Sequence, residues 1–481
     1  MKFAFVDIST YTHELHQVHE SIHRSRRLAS DLISEKITGV PLPSGKTSIS
    51  RGLLIFASWI KRLGGSVTYV HYCHQTEASL RSLFKESDVV CLYVMTPTAR
   101  ICLNVAALAK SANPNVVVAL GGPHVASQGA ELLRNEAIDF VCFDSNGVAF
   151  AAAAILDSEQ RSNCPGIGYK DFETGNITIN EIDENQEIDN AELIDYSILP
   201  LHLNDYYLNL SASQGCAYSC SFCSDGTRRF RVRPVHDVIN EVLFLESQLE
   251  EGAWIHFFDT IFTVPEARAH QLCDRLIENT RKLYFSCDIK ANHITNLARK
   301  LKAARFKFVS IGFETSDDES LVLNNKQNLF ADCCATAELI KNIAPDCAVK
   351  AYWLLGLPGS SPSKTKRDIL QIESLLDQRT VDIVGPKCFV PYPETVFFQR
   401  PEEFDLKIWT KDWSCYDRFH LPPASTPSAF TRNQLSECLI HAERAVLMKY
   451  CQRLDMSISE VMRVKGAPKR YNGALYSRLI P

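Results

Sequence analysis

"SQGCAYSCSFCSD", residues 213–225, places three cysteines at Cys216, Cys220 and Cys223. Steps of four and three residues gather three thiolates on one short loop, and the next cysteine downstream is Cys273. A closed zinc site takes four protein ligands. An incomplete set points instead to a metal centre that keeps one position open. Three thiolates on three irons of a 4Fe–4S cluster leave the fourth iron without a protein ligand, and soft sulfur donors suit such clusters.

The chain around this loop alternates strand and helix. "YYLNLSASQGC" opens the region, followed by helical "HDVINEVLFLESQLEEG", strand "WIHFFDT", helix "EARAHQLCDRLIENT" and strand "LYFSCDIK". A helix through "LARKLKAAR", strand "FKFVSIGFET", strand "AVKAYWLLGLPG" and strand "VDIVGPKCFVPYP" continue the pattern to about residue 400. Some six strand–helix units predict an α/β fold with a partial (β/α)6 TIM-type barrel over 208–400. Reactive groups of such barrels sit on loops at the carboxyl ends of strands. The three cysteines follow the first strand, where that rule puts a cofactor.

Upstream, 1–154 reads as a doubly wound, Rossmann-like domain. Strands "KFAFVDI", "SVTYVHY", "DVVCLYVM" and "NVVVALGG" alternate with helices "SISRGLLIFASWIKRLGG" and "ARICLNVAALAKSA", the pitch of a parallel sheet with helices on both faces. Ligands bind such sheets at strand carboxyl ends, where "GGPHVAS" lies. Residues 155–207, acidic and Asn-rich, are expected to be a connector, and 401–481 a mostly helical region with a basic tail.

Composition narrows the classes. The 481 residues carry a formal charge of -5, which gives no electrostatic case for nucleic acid or an anionic membrane. No run reaches the apolar length of a membrane span, and the start has too short an apolar stretch for a signal-peptide core. A cytoplasmic protein is the expectation. The 17 cysteines are odd in number and scattered, so most read as reduced packing residues.

The CxxxCxxC spacing with Phe222 just before the last cysteine resembles the radical S-adenosylmethionine superfamily. "FFDTIF" (257–262) is similar to its second-strand motif, "IGFET" (311–315) to its glycine–acid segment, and "LLGLPG" (354–359) and "FVPYPETVFF" (389–398) to its later strands. The resemblance implies that Cys216, Cys220 and Cys223 ligate a 4Fe–4S cluster whose open iron chelates S-adenosylmethionine. Reductive cleavage would then give methionine and a 5'-deoxyadenosyl radical that takes hydrogen from an unreactive carbon. Phe222 would cover the adenine, or be core. Gly312 and Glu314 would lie at the methionine or substrate end, with a Glu314 paired to a barrel-interior Lys or Arg as the plain alternative. Asp259 sits at a strand end, with Thr260 where the family often has a second acid. Arg228, Arg229, Arg231 and Arg233 read as a solvated or cluster-flanking face.

A doubly wound domain holding "NVVVALGGPHVAS" ahead of such a barrel resembles the cobalamin-binding domain of class B radical S-adenosylmethionine methyltransferases. That resemblance implies a corrin against Gly121, Gly122, Pro123 and His124; the alternative is a plain strand-to-helix turn. The chain departs from the family in lacking DxHxxG, in "IDFVCFDSNG" (138–147) where relatives show GEGE, and in a loosely matching "VMTPTAR" (94–100). "HESIH" (19–23) fits HExxH, with His13 and His16 lengthening the stripe. No third ligand follows, so a solvated or domain-contact helix is the expectation rather than zinc.

Taken together, these residues predict a radical enzyme acting on a small-molecule, natural-product-like substrate, supplied with electrons by a flavodoxin- or ferredoxin-like donor. Cobalamin-dependent C-methylation leads. Cobalamin-free dehydration, deoxygenation, epimerisation or oxidation of a sugar-like substrate follows, then methylthiotransfer or a non-catalytic corrin carrier. Cys73, Cys91, Cys102 and Cys142 do not read as the second-cluster triad that methylthiotransfer requires. The sequence singles out no catalytic residue beyond the cofactor ligands.

Overall fold

The structure is a computed structural model that describes residues 1–8, 17–43, 46–143, 148–171, 174–182, 194–291 and 294–464. The chain forms two compact units: strand β1 (Lys2–Asp7) with residues 47–206, and helix α1 (Gln17–Thr38) with residues 207–464. The sequence reading leaves α1 within an N-terminal domain of 1–154; instead it crosses to the second unit.

In the first unit, β1, β2 (Ser66–His71), β3 (Val89–Tyr93), β4 (Val117–Gly121) and β5 (Phe140–Cys142) form a parallel sheet in the order β2-β1-β3-β4-β5. Near-complete burial of Phe3, Ala4, Phe5 and Val6 explains why β1 reads as a continuous apolar run. α2 (Arg51–Arg62) buries Leu53, Leu54, Ile55, Ala57 and Ile60, the stripe expected of a helix lying on a sheet. The order reverses between β1 and β3, and ligands of doubly wound sheets bind beside that switch point. Residues 155–207 are not only a connector. β6 (Ile167–Lys170) and β7 (Ile177–Ile179) add two antiparallel strands beyond β5. They are short, and β7 is wholly exposed, so neither carries the apolar run that marks the inner strands.

In the second unit, β8 (Tyr206–Leu210), β9 (Trp254–Phe257), β10 (Tyr284–Ile289), β11 (Phe306–Glu314), β12 (Ala348–Leu355) and β13 (Ile383–Cys388) run parallel in sequence order. This is the expected α/β partial barrel. Its register divides the side chains cleanly. Leu208, Ile255, Phe257, Phe285, Cys287, Val309, Ile311, Val349, Ala351 and Trp353 are buried on the outer face. On the other face the aligned residues are Asn209, His256, Ser286 and Phe308, then Asp288, Ser310, Lys350 and Ile383, then Gly312, Tyr352 and Gly385, and last Leu354 with Lys387. The concave face is therefore mainly polar, with Phe308, Ile383 and Leu354 among the polar rows.

The last strand is not left as a bare edge. Tyr450 Oη, on α13 (Arg432–Leu454), accepts from Val384 N at 2.7 Å, and Arg26 Nη1 of α1 donates to Val384 O at 3.4 Å. Between 401 and 464 the chain holds α13 and a helix over Ile458–Val464, preceded by a stretch without α-helix. An antiparallel ribbon, Leu406–Ile408 with Ser425–Pro427, returns the intervening loop to the end of β13, where Cys388 N donates to Arg418 O at 2.9 Å.

Candidate active site

The cysteine loop leaves the carboxyl end of β8 and is closed by a small hairpin pairing Ser213–Gln214 with Arg231–Val232. Gly215 makes the closure: its φ is +68°, and an added Cβ would lie 2.8 Å from Arg229 C and 2.9 Å from Arg228 O, all backbone. Buried Asp259, at the end of β9, accepts from Ala212 N at 2.9 Å and from the Ser213 hydroxyl. Arg268 Nη2 donates to Ala212 O at 2.6 Å and Arg233 O at 2.7 Å. Arg233 is not on a solvated face: it is buried and ion-paired with Glu241 at 2.9 Å. Asp259, Arg233 and Arg268 thus brace the base of the loop.

Its far side is tied to the segment after α10 (Asp318–Leu323). Ser221 N donates to Asn324 O at 3.1 Å, and Asn325 Nδ2 to Ser219 O at 2.8 Å. Cys216, Cys220 and Cys223 are free and partly buried. Burial pushes all three thiols up, against which Lys326 pulls at Cys220 and Arg418 at Cys223. Among the described residues no three His, Cys, Asp or Glu side chains converge on a single metal ion. A polynuclear cluster needs something different, one thiolate for each of three irons. Three cysteines on one braced loop, close enough to perturb one another's ionisation, fit that requirement.

Glu314 stands at the end of β11 with φ +65°, and its Oε1 meets Lys326 Nζ at 2.9 Å. The plain reading of Glu314, a carboxylate paired with a lysine, is therefore what its geometry gives. Both side chains are about nine-tenths buried, at 10% and 11% exposure. Burial opposes the Lys326 charge, yet Glu314 and Cys220 raise its pKa on balance. A Cβ on Gly312 would press on the Glu314 carboxylate and come within 2.7 Å of Lys326 Nζ, so the absent side chain leaves room for that pair. Lys326 Nζ also lies 5.8 Å from the Phe222 ring, which packs on Leu354, Leu357 and Phe389. Lys290 Nζ sits 3.1 Å from the Tyr218 ring centre, beside a cleft of about 410 Å³ lined by Thr263, Ala291 and Gln327. The fold thus gathers Cys216, Cys220, Cys223, Phe222, Gly312 and Glu314. Sequence reasoning missed Lys326, Lys290 and Arg418, which lie in no motif; an unpaired Glu314 was the one available cue to a nearby cation.

In the first unit, Gly121 ends β4 and Pro123 opens α5 (Pro123–Leu132). Gly122 has φ +110°, and a Cβ there would stand 2.8 Å from Val94 O. A Cβ on Gly121 would meet nothing within 4 Å, leaving a backbone surface open to a ligand at the carboxyl ends of β3 and β4. His124 does not share that surface. It is fully buried, Nδ1 lies 3.2 Å from Thr96 Oγ1, and burial lowers its pKa to about 4. The segment where relatives show GEGE reaches into 144–147, outside the described residues. Of the HExxH stripe, His13, His16 and the side chains of His19 and Glu20 lie outside them too. His23 Nδ1 meets Glu443 Oε1 at 2.6 Å.

Residues 40–154 match the family profile of the B12 binding domain. The chain has the fold of radical S-adenosylmethionine enzymes that carry such a domain. The radical S-adenosylmethionine methyltransferase TsrM from Kitasatospora setae, solved with tryptophan and a S-adenosylmethionine analogue, superposes with a TM-score of 0.64 at 15% identity, covering 87% of this chain and 82% of that one. OxsB, a cobalamin-dependent S-adenosylmethionine radical enzyme, gives 0.63 at 15% identity over 99% of this chain and 70% of its own. An uncharacterized methyltransferase of Pyrococcus horikoshii is 23% identical over 371 residues, 74% of this chain and 77% of that protein. Among the described residues no helix is long and apolar enough to cross a membrane.

Proposed function

We propose that the chain is a cobalamin-dependent radical S-adenosylmethionine methyltransferase acting on an unactivated carbon of a small molecule. The observation that carries this reading is a braced three-thiolate loop at the first strand end of a parallel half-barrel, in a chain with a B12 binding domain. Bound to these sites, a 4Fe–4S cluster supplies the electron that cleaves S-adenosylmethionine, and cobalamin supplies a methyl carrier.

The chain's own residues hold, orient and shield. Cys216, Cys220 and Cys223 provide the thiolates, while Asp259, Arg233 and Arg268 keep the loop from opening. Lys326 and Glu314, fixed to each other at 2.9 Å, present an oriented charge pair beside Cys220 that suits the amino and carboxylate ends of an amino acid. Phe222 and its apolar neighbours offer a flat surface that keeps water from one side of the site. In the first unit, Gly121 lets the backbone approach a large cofactor, while Gly122 lets the turn pack against Val94.

Reducing the anaerobically reconstituted chain with S-adenosylmethionine labelled in the methyl group tests the reading. It predicts 5'-deoxyadenosine and a labelled corrin, both lost in Cys220→Ala. 5'-Deoxyadenosine with no corrin labelling would move the reading to radical dehydration, epimerisation or oxidation, and formation of neither would overturn it.

A further inference from the structure

We propose, resting on the reading above, that the concave face of the half-barrel holds an anionic group of the substrate, a carboxylate or phosphate, between Lys350 and Lys387.

The barrel register places these lysines on one face, Lys350 one step below Tyr352 and Lys387 one step above, opposite Leu354. Both ammonium groups lean over the same ring: Lys350 Nζ lies 4.6 Å and Lys387 Nζ 5.1 Å from the Tyr352 centroid. Gly385 is aligned with Tyr352, and the nearest atom to its would-be Cβ is Lys350 Cε at 3.4 Å. Two cations therefore converge on one half-buried patch. Neither makes a hydrogen bond or ion pair with any described residue, in contrast to Lys326, Lys341 and Lys364, each of which has its carboxylate.

The surroundings carry charge of both signs, and the buried carboxylate of Glu443 is taken by Arg26 at 3.1 Å. Arg418 faces Lys387 from the returning loop, and Arg26 and Arg27 face both lysines or Lys350 from α1. Opposing them are Asp288, whose oxygens lie 3.5 Å from Tyr352 Oη, and Asp31 on α1. His256, the remaining base on this face, is lowered by burial. Crowding like charges in a desolvated place disfavours the ammonium form. Burial brings Lys350 to about 8 and, with Arg418 beside it, Lys387 to about 7. A fold keeps such an arrangement at a cost to stability, and an anion from outside the chain relieves it. Tyr352 beneath the pair gives that anion's carrier a flat face.

The test is competitive trace acetylation of the whole cluster-loaded chain near pH 7, read by mass spectrometry at Lys350, Lys387 and exposed Lys366. Inorganic phosphate, acetate and neutral acetamide are the probes. Phosphate and acetate should saturably slow Lys350 by about tenfold and Lys387 by about fivefold, the effect of a one-unit rise in amine pKa at pH 7, and leave Lys366 unchanged; acetamide should do nothing. In Lys387→Met the protection of Lys350 should vanish. Equal rates with and without anions, or equal protection by acetamide, would overturn the proposal. So would full protection by S-adenosylmethionine or cobalamin alone, which would make the anion the cofactor's. Reductive cleavage of S-adenosylmethionine, followed in the same sample, keeps failure of this site distinct from failure of the radical reading.

Discussion

Gly215→Ala isolates the geometry of the cluster loop from its chemistry, since no ligand is touched. An alanine held at φ +68° costs about 1–2 kcal/mol. Its methyl would also overlap the backbone of Arg228 and Arg229, which has no rotamer to yield. Relief requires opening the hairpin at Ser213/Val232 and Gln214/Arg231, which frees the loop from its brace. The backbone strain alone, about 1–2 kcal/mol, lowers the population of the closed loop by about one order of magnitude, and the overlap adds to it. Reconstituted Gly215→Ala should surrender its iron to a chelator about ten times faster than the parent chain, with far-ultraviolet circular dichroism unchanged. If Gly215→Ala holds iron as long as the parent, the hairpin does not position the thiolates and the reasoning fails.

Lys326→Met leaves buried Glu314 without its cation and should destabilise the second unit by about 3–5 kcal/mol in urea unfolding, with Glu314→Gln added to it restoring most of the loss. Gly122→Ala, at φ +110°, should lower thermal stability; Gly121→Ala should leave it intact and reduce bound corrin, as measured by visible spectrum. His124, with a folded pKa near 4 against about 6.5 unfolded, binds fewer protons folded than unfolded in that interval. Stability should therefore fall as pH drops through that window, and His124→Asn should remove part of the fall; parallel melting curves for the two chains would contradict the assignment.

The inner strands were legible because they are buried on both faces or alternate strictly, as β1 and β12 show. β6 and β7 escaped because short strands at a sheet edge carry little apolar signal. α1 was misplaced because an amphipathic pattern reveals a helix without naming its partner, here α13 and the β13 edge. Within the site, the cysteines were legible through spacing, a local property. Lys326 and Arg418 were not, because they reach the loop from 103 and 195 residues beyond Cys223 and only the fold brings them near. The same holds for Lys350 and Lys387: each is one basic residue in an apolar strand, and their pairing exists only in the register.

The central claim, that one chain carries a three-cysteine cluster and a corrin, is tested most directly by cofactor content. The chain would be produced anaerobically with cobalamin supplied, then assayed for iron, sulfide and extracted corrin. The account predicts about four irons and four sulfides per chain with near-stoichiometric corrin, and loss of the iron alone in Cys216→Ala. Full iron and sulfide with no corrin would contradict the cobalamin half of the claim, and zinc in place of iron and sulfide would contradict the other.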